Sequence, residues 1–136
     1  MRKLSLSIAG NLLAVVALSS AAAIAADKPF TGVFQGSGRQ CQGRLTVRAK
    51  TIEWHTPFAN CNQTSYELIE QDFSNTEAPR IAYLLKGARP CGFGVITLDV
   101  NPKYPDYWNA SGYRSLEDYK KQSEDVLRCD LEKKDK

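Results

Sequence analysis

Histidine occurs once in the 136 residues, at His55, and none of the four cysteines stands in a CxxC. Structural zinc takes closely spaced thiolate and imidazole ligands, so cysteines at 41, 61, 91 and 129 with a single histidine argue against a metal centre. A phosphate loop is missing too. The glycine-rich stretch Gly32 to Gly38 runs on into Arg39-Gln40-Cys41 with neither a GK[ST] element nor a helix start, which makes it a bend between strands. Ser37 and Ser111 lack the GxSxG setting of a nucleophile elbow. Nothing singles out a carboxylate pair for acid–base work. There is no internal repeat, and no catalytic residue or cofactor is expected.

Excess charge is scarce as well. Of 18 Lys and Arg, Arg2 and Lys3 lie in the N-terminal segment, leaving 16 against 15 Asp and Glu, a balance of +1. Phosphate-dominated nucleic-acid binding needs a concentrated basic surface, and this balance argues against it. The longest apolar run, Leu12 to Leu18, is too short to span the ~30 Å hydrocarbon layer, so stable membrane insertion is not expected.

What the N-terminus does have is the three-part order of a secretory signal: the cations Arg2 and Lys3, the apolar run, and the small residues Ala23-Ile24-Ala25-Ala26. Residues 1–26 therefore read as a cleaved signal and 27–136 as one mature domain, periplasmic or secreted. In an exported chain an even number of cysteines reads as disulfides. Four cysteines allow three connectivities. Cys41 with Cys61 and Cys91 with Cys129 ties neighbouring segments, and that is the pairing we expect.

Alternation of apolar and polar residues marks strands at 30–34, 44–48, 51–55, 65–71, 80–86 and 93–100. The second and third form a hairpin whose register parity can fix. Val47 opposite Ile52 also sets Leu45 opposite Trp54 and Arg44 opposite His55, so both apolar sets face one core, and a one-residue slip would break this. The loop is then Arg48 to Thr51. Residues 101–114, NPKYPDYWNASGYR, hold two prolines and four aromatics without a period and read as a long ordered loop. Ser115 opens a C-terminal helix with Glu117 and Asp118 in its first turn and Leu116, Tyr119, Ser123, Val126 and Leu127 on one stripe. The expected fold is mainly β (α+β): an antiparallel meander of five to six strands, flat or curled into a partial barrel, with one C-terminal helix and two disulfides.

In outline this plan resembles small exported β-rich proteins of Gram-negative bacteria, among them lipocalin-like barrels and periplasmic lysozyme inhibitors. The one local likeness is Ser111-Gly112-Tyr113, which resembles an inhibitor loop but stands before a helix, so no family residue is carried over.

His55 falls on the polar face of its strand near Arg44 and Glu53, as a solvated residue or a pH-sensitive contact. The aromatic segment is the main candidate surface. Tyr104, Tyr107, Trp108, Tyr113 and Arg114 are of the types enriched where proteins grip partners, with packing at the end of the core as the rival role. The expected function is non-enzymatic binding or inhibition of a protein partner in the envelope or a host fluid. The alternatives are a carrier or sensor of a small apolar ligand between sheet and helix, then a hydrolase. Cleavage after Ala25 or Ala26 predicts an exported chain starting at Ala26 or Asp27, which N-terminal sequencing of the exported protein checks.

Overall fold

The computed structural model describes residues 10, 29–73, 79–87, 91–125 and 127–135; apart from Gly10, residues 1–26, expected to be a signal segment, lie outside them. Eight antiparallel strands run in chain order around a closed barrel: β1 (Gly32–Gly36), β2 (Gly43–Val47), β3 (Thr51–His55), β4 (Asn60–Asp72), β5 (Arg80–Leu85), β6 (Val95–Asn101), β7 (Tyr104–Tyr113) and β8 (Leu127–Lys133). One helix, α1 (Leu116–Lys120), lies between β7 and β8.

The alternation read from the sequence becomes inside and outside. Phe34, Leu45, Val47, Ile52, Trp54, Ile81, Tyr83, Ile96, Leu98, Trp108 and Leu131 are buried in one core, while Arg44, Thr46, Glu53 and His55 occupy the alternate positions of β2 and β3. An eight-strand barrel has an interior just wide enough for side chains to fill, and Trp54, Tyr83 and Phe34 are its largest fully buried members. Along β2 and β3 the pattern is apolar in and polar out, the reverse of a lipid-facing barrel.

The first hairpin has the expected register, with Val47↔Ile52, Leu45↔Trp54 and Arg44↔His55. Its loop closes with the Arg48 N–H donating to the Thr51 carbonyl at 2.8 Å. Several expectations are corrected. The sheet has eight strands and is closed, where five to six in an open or partial barrel were expected. Residues 104–113, read as loop, are strand β7. The alternation there is obscured because the inward side tapers from Trp108 through Ala110 to Gly112. A Cβ on Gly112 would lie 2.7 Å from the Phe93 ring, so only glycine admits that ring. The start of β7 is also irregular: Val100 pairs with Trp108 and Asn101 with Tyr104, leaving Pro105, Asp106 and Tyr107 as a bulge against β6.

The C-terminal helix begins where expected. Ser115 is its N-cap, and the Asp118 N–H donates to Ser115 Oγ at 3.1 Å. It stops at Lys120, however, and Leu127, Cys129 and Leu131 turn inward with period 2 as β8, the strand that the helical reading of Val126 and Leu127 concealed. Val126 itself lies outside the described residues. A strand prevails because β8 covers the free edges of both β1 and β7, whose unpaired N–H and C=O groups a helix would leave open.

That change also corrects the disulfides, which join Cys41 to Cys129 and Cys61 to Cys91. With β8 beside β1, Cys129 reaches the β1–β2 loop, and Cys61 at the start of β4 meets the β5–β6 loop. Both bonds lie at the same end of the barrel, called here the stapled end. The turns β2–β3 and β6–β7 lie at the opposite end. Loop-closure entropy ranks the two bonds by the chain they enclose, 88 against 30 residues. Replacing Cys41 and Cys129 by serine should cost ~4–5 kcal/mol, about 1 kcal/mol more than the same change at Cys61 and Cys91. Denaturant unfolding of the two double variants checks the order.

Candidate functional site

Strand β7 carries most of the residues singled out in the sequence, and it distributes them. Tyr104 and Tyr107 stand at the end opposite the staples, 54% and 44% exposed. Their rings meet edge to face with centroids 6.5 Å apart. Lys103 Nζ lies 5.7 Å from the Tyr104 ring centre, within cation–π range. The hairpin turn is held by Asn101, whose Oδ1 accepts from the Lys103 N–H at 3.0 Å. The bulge at 105–107 pushes Tyr107 outward, where it pairs across β8 with Glu132. Asn101, Tyr104, Tyr107 and Asp130 line a cleft of about 400 Å³.

The other members of the set lie elsewhere. Trp108 is 7% exposed and packs inside the barrel against Phe30 and Phe34, at 5.3 and 5.8 Å between ring centroids. Tyr113 is buried on the outer wall under Tyr119, their rings edge to face at 5.7 Å. Arg114 is exposed at the stapled end, a strand length of ~30 Å from Tyr104. The aromatic segment is therefore two things: a short exposed rim and a longer packed wall.

His55 belongs to a separate polar chain on the outside of β3 and β4. Its Nδ1 meets Asn60 Oδ1 and its Nε2 lies 3.3 Å from Glu53 Oε2. The guanidinium that grips Glu53 is Arg48, at 2.7 Å, rather than the neighbouring Arg44. That hydrogen bond is the main reason the Glu53 carboxyl sits below its usual range, with burial acting against it and His55 adding to it.

Sequence reasoning missed a cluster on the outer wall beneath α1. Arg80 Nε lies 3.5 Å from Glu70 and 3.4 Å from Asp99. Tyr119 donates its hydroxyl proton to Glu70. Beside these groups Ala82, Val95 and Tyr113 form a second buried patch with Tyr119, on the side of the sheet that normally faces water. Burial, more than any neighbouring charge, raises the Asp99 carboxyl, against the pull of Arg80. The two carboxylates flank Arg80 and are occupied by it, so the arrangement clasps the helix to the wall. Only the cross-strand pairing Arg80↔Asp99 would have exposed it in the sequence, and that needs the β5–β6 register. The space between sheet and helix, where a small apolar ligand was placed as an alternative, holds Tyr113, Tyr119, Ala82 and Val95.

No protein-family model, curated protein or solved structure matches this chain. Its two disulfides are compatible with an extracellular or periplasmic protein, and among the described residues no helix is long and apolar enough to cross a membrane.

The Tyr119 phenol is pushed up to about 12, first by burial and then by its bond to Glu70. A phenol held above its ordinary value stabilises the fold fully below pH ~10, and that contribution is lost as pH rises through the folded-state value. Tyr119→Phe should therefore lower stability at neutral pH by about 1 kcal/mol and flatten the fall in stability between pH 10 and 12. Urea unfolding at a series of pH values checks both.

Proposed function

We propose that this is an exported, non-enzymatic binding protein, periplasmic or secreted, that engages a protein partner through the rim formed by Tyr104 and Tyr107. The observation that carries this reading is the exposed tyrosine pair beside a cleft that also presents Asn101 and Asp130. Tyrosines give rigid contact area with a polar tip, and burying them against a partner is favourable because a closed barrel leaves them little freedom to lose. The Asp130 carboxylate and the Tyr107 ring suit a lysine or arginine side chain on the partner, gripped by charge on one side and by the ring on the other, while Lys103 already lies over Tyr104. Inhibition follows where that basic side chain belongs to an enzyme's working surface.

Affinity capture from the organism's envelope and from host fluids, followed by direct titration of the captured protein, tests the proposal. Tyr104→Ala combined with Tyr107→Ala should weaken capture roughly 30-fold or more, the scale of losing hot-spot side chains, with the melting temperature nearly unchanged. Capture that survives the double change places the partner surface elsewhere. Trp108→Ala is the contrasting control: it should cost ~3–5 kcal/mol of stability, because that ring is core.

A further inference from the structure

At the stapled end two clefts open side by side. One, of about 200 Å³, is lined by the end of β5 from Leu84 to Gly87 and by Arg114 to Leu116. The other, of about 400 Å³, lies between Phe58 and Ala59 of the β3–β4 loop, the Cys91 to Phe93 stretch, and Leu127. Phe93 and Arg114 line both. The larger volume falls within the range of small-molecule sites.

Their chemistry is one-sided. Lys86 and Arg114 stand in the lining, and no Asp or Glu is among the described residues that line either cleft. Neither cation has an ion-pair partner among the described residues. Beside them stand the apolar side chains Leu84, Leu85, Leu116, Phe93, Leu127 and Phe58, the last 70% exposed and the most exposed large apolar side chain among the described residues. An exposed phenylalanine at the edge of a cationic cleft is the lining that a molecule with an acidic head and an apolar body would use.

Parts of the rim are anchored. The Cys61–Cys91 bond ties Cys91 to the start of β4. The Gly94 N–H donates to the Tyr113 carbonyl at 2.8 Å, and a Cβ at Gly94 would lie 2.8 Å from the Arg114 carbonyl oxygen, so Gly94 and the Arg114 backbone sit in direct contact. Phe93 is 2% exposed and forms the floor, its ring 5.6 Å from that of Trp54 in the core below. Residues anchored in this way lose little freedom on binding.

We propose that the stapled end of the barrel binds a free amphipathic organic anion, with its acidic head on Arg114 and Lys86 and its apolar chain along Phe93, Phe58 and Leu127. The proposal does not depend on the tyrosine rim at the other end.

Hexanoate, octanoate and decanoate, titrated below their micellar concentrations into isotopically labelled protein, test it by nuclear magnetic resonance. The Trp54 indole signal reports the Phe93 floor. Saturable shifts should appear, tightening roughly threefold to fourfold per added methylene, with octanol and octylamine at least ten times weaker than octanoate. Arg114→Gln with Lys86→Gln, both on solvent-facing side chains, should weaken octanoate at least tenfold and leave octanol unchanged. Equal binding of octanol or octylamine, undiminished octanoate binding in the double variant, or no saturable shift with any of the acids would overturn the proposal. So would sedimentation with phosphatidylglycerol vesicles in the absence of octanoate binding, which would assign the surface to a membrane.

Discussion

Phe34, Gln35 and Gly36 of β1 pair with Lys133, Glu132 and Leu131 of β8, and this short ladder turns an eight-strand sheet into a ring. A strand left at an edge exposes a row of unsatisfied backbone groups, and closure alone removes the edge altogether. The C-terminal tail reinforces the seam. The Lys134 N–H donates to the Val33 carbonyl and Asp135 Oδ1 accepts from the Val33 N–H, each at 2.8 Å. Everything else depends on the seam being shut: the filled interior, the position of Cys129 beside the β1–β2 loop, and the outward display of both candidate surfaces.

Closure also explains why part of the outer wall is buried. With the inside filled from all eight strands, the segment between β7 and β8 has nowhere to go but across the outside of β5, β6 and β7. The sheet meets it with Ala82, Val95 and Tyr113, and with Thr97 and Ser111, which are buried as well. Arg80, with Glu70 and Asp99, keeps charge at the border of this patch, where part of each side chain still reaches solvent. The helix is thus secured by the Tyr119–Tyr113 ring contact, the packing of Leu116 and the bond from the Tyr119 phenol to Glu70, while the strands carry the fold.

The register of the hairpin from Gly43 to His55 was legible, because both strands alternate cleanly and only one register satisfies the two faces together. Beyond residue 100 the helix start at Ser115 was legible and the strands were not, for three separate reasons. At Trp108, Ala110 and Gly112 the inward residues shrink to admit Phe93, a neighbour supplied by a distant loop. At Tyr113 the outward residue is large because a helix covers it. At Leu127, Cys129 and Leu131 the period of two was present, but a genuine helix start at Ser115 extended the helical reading through it. The disulfide expectation failed with that reading, since Cys129 on a helix has different neighbours from Cys129 on β8. Residue type singled out Tyr104 and Tyr107, which are exposed, and could not separate them from Trp108, whose neighbours are set by closure. The two clefts at the stapled end were invisible in sequence because their lining comes from five separate stretches of chain.

The Cys41–Cys129 bond encloses 88 residues, and within them lie all the turns from β2 to β8. To a protease the stretch from Cys41 to Cys129 is therefore a covalent loop. A single cut in the β2–β3, β3–β4 or β6–β7 turn opens the ring without releasing a fragment, and the pieces stay together until the sulfurs are reduced. That is a form of durability separate from thermodynamic stability: a nicked copy keeps its parts at hand.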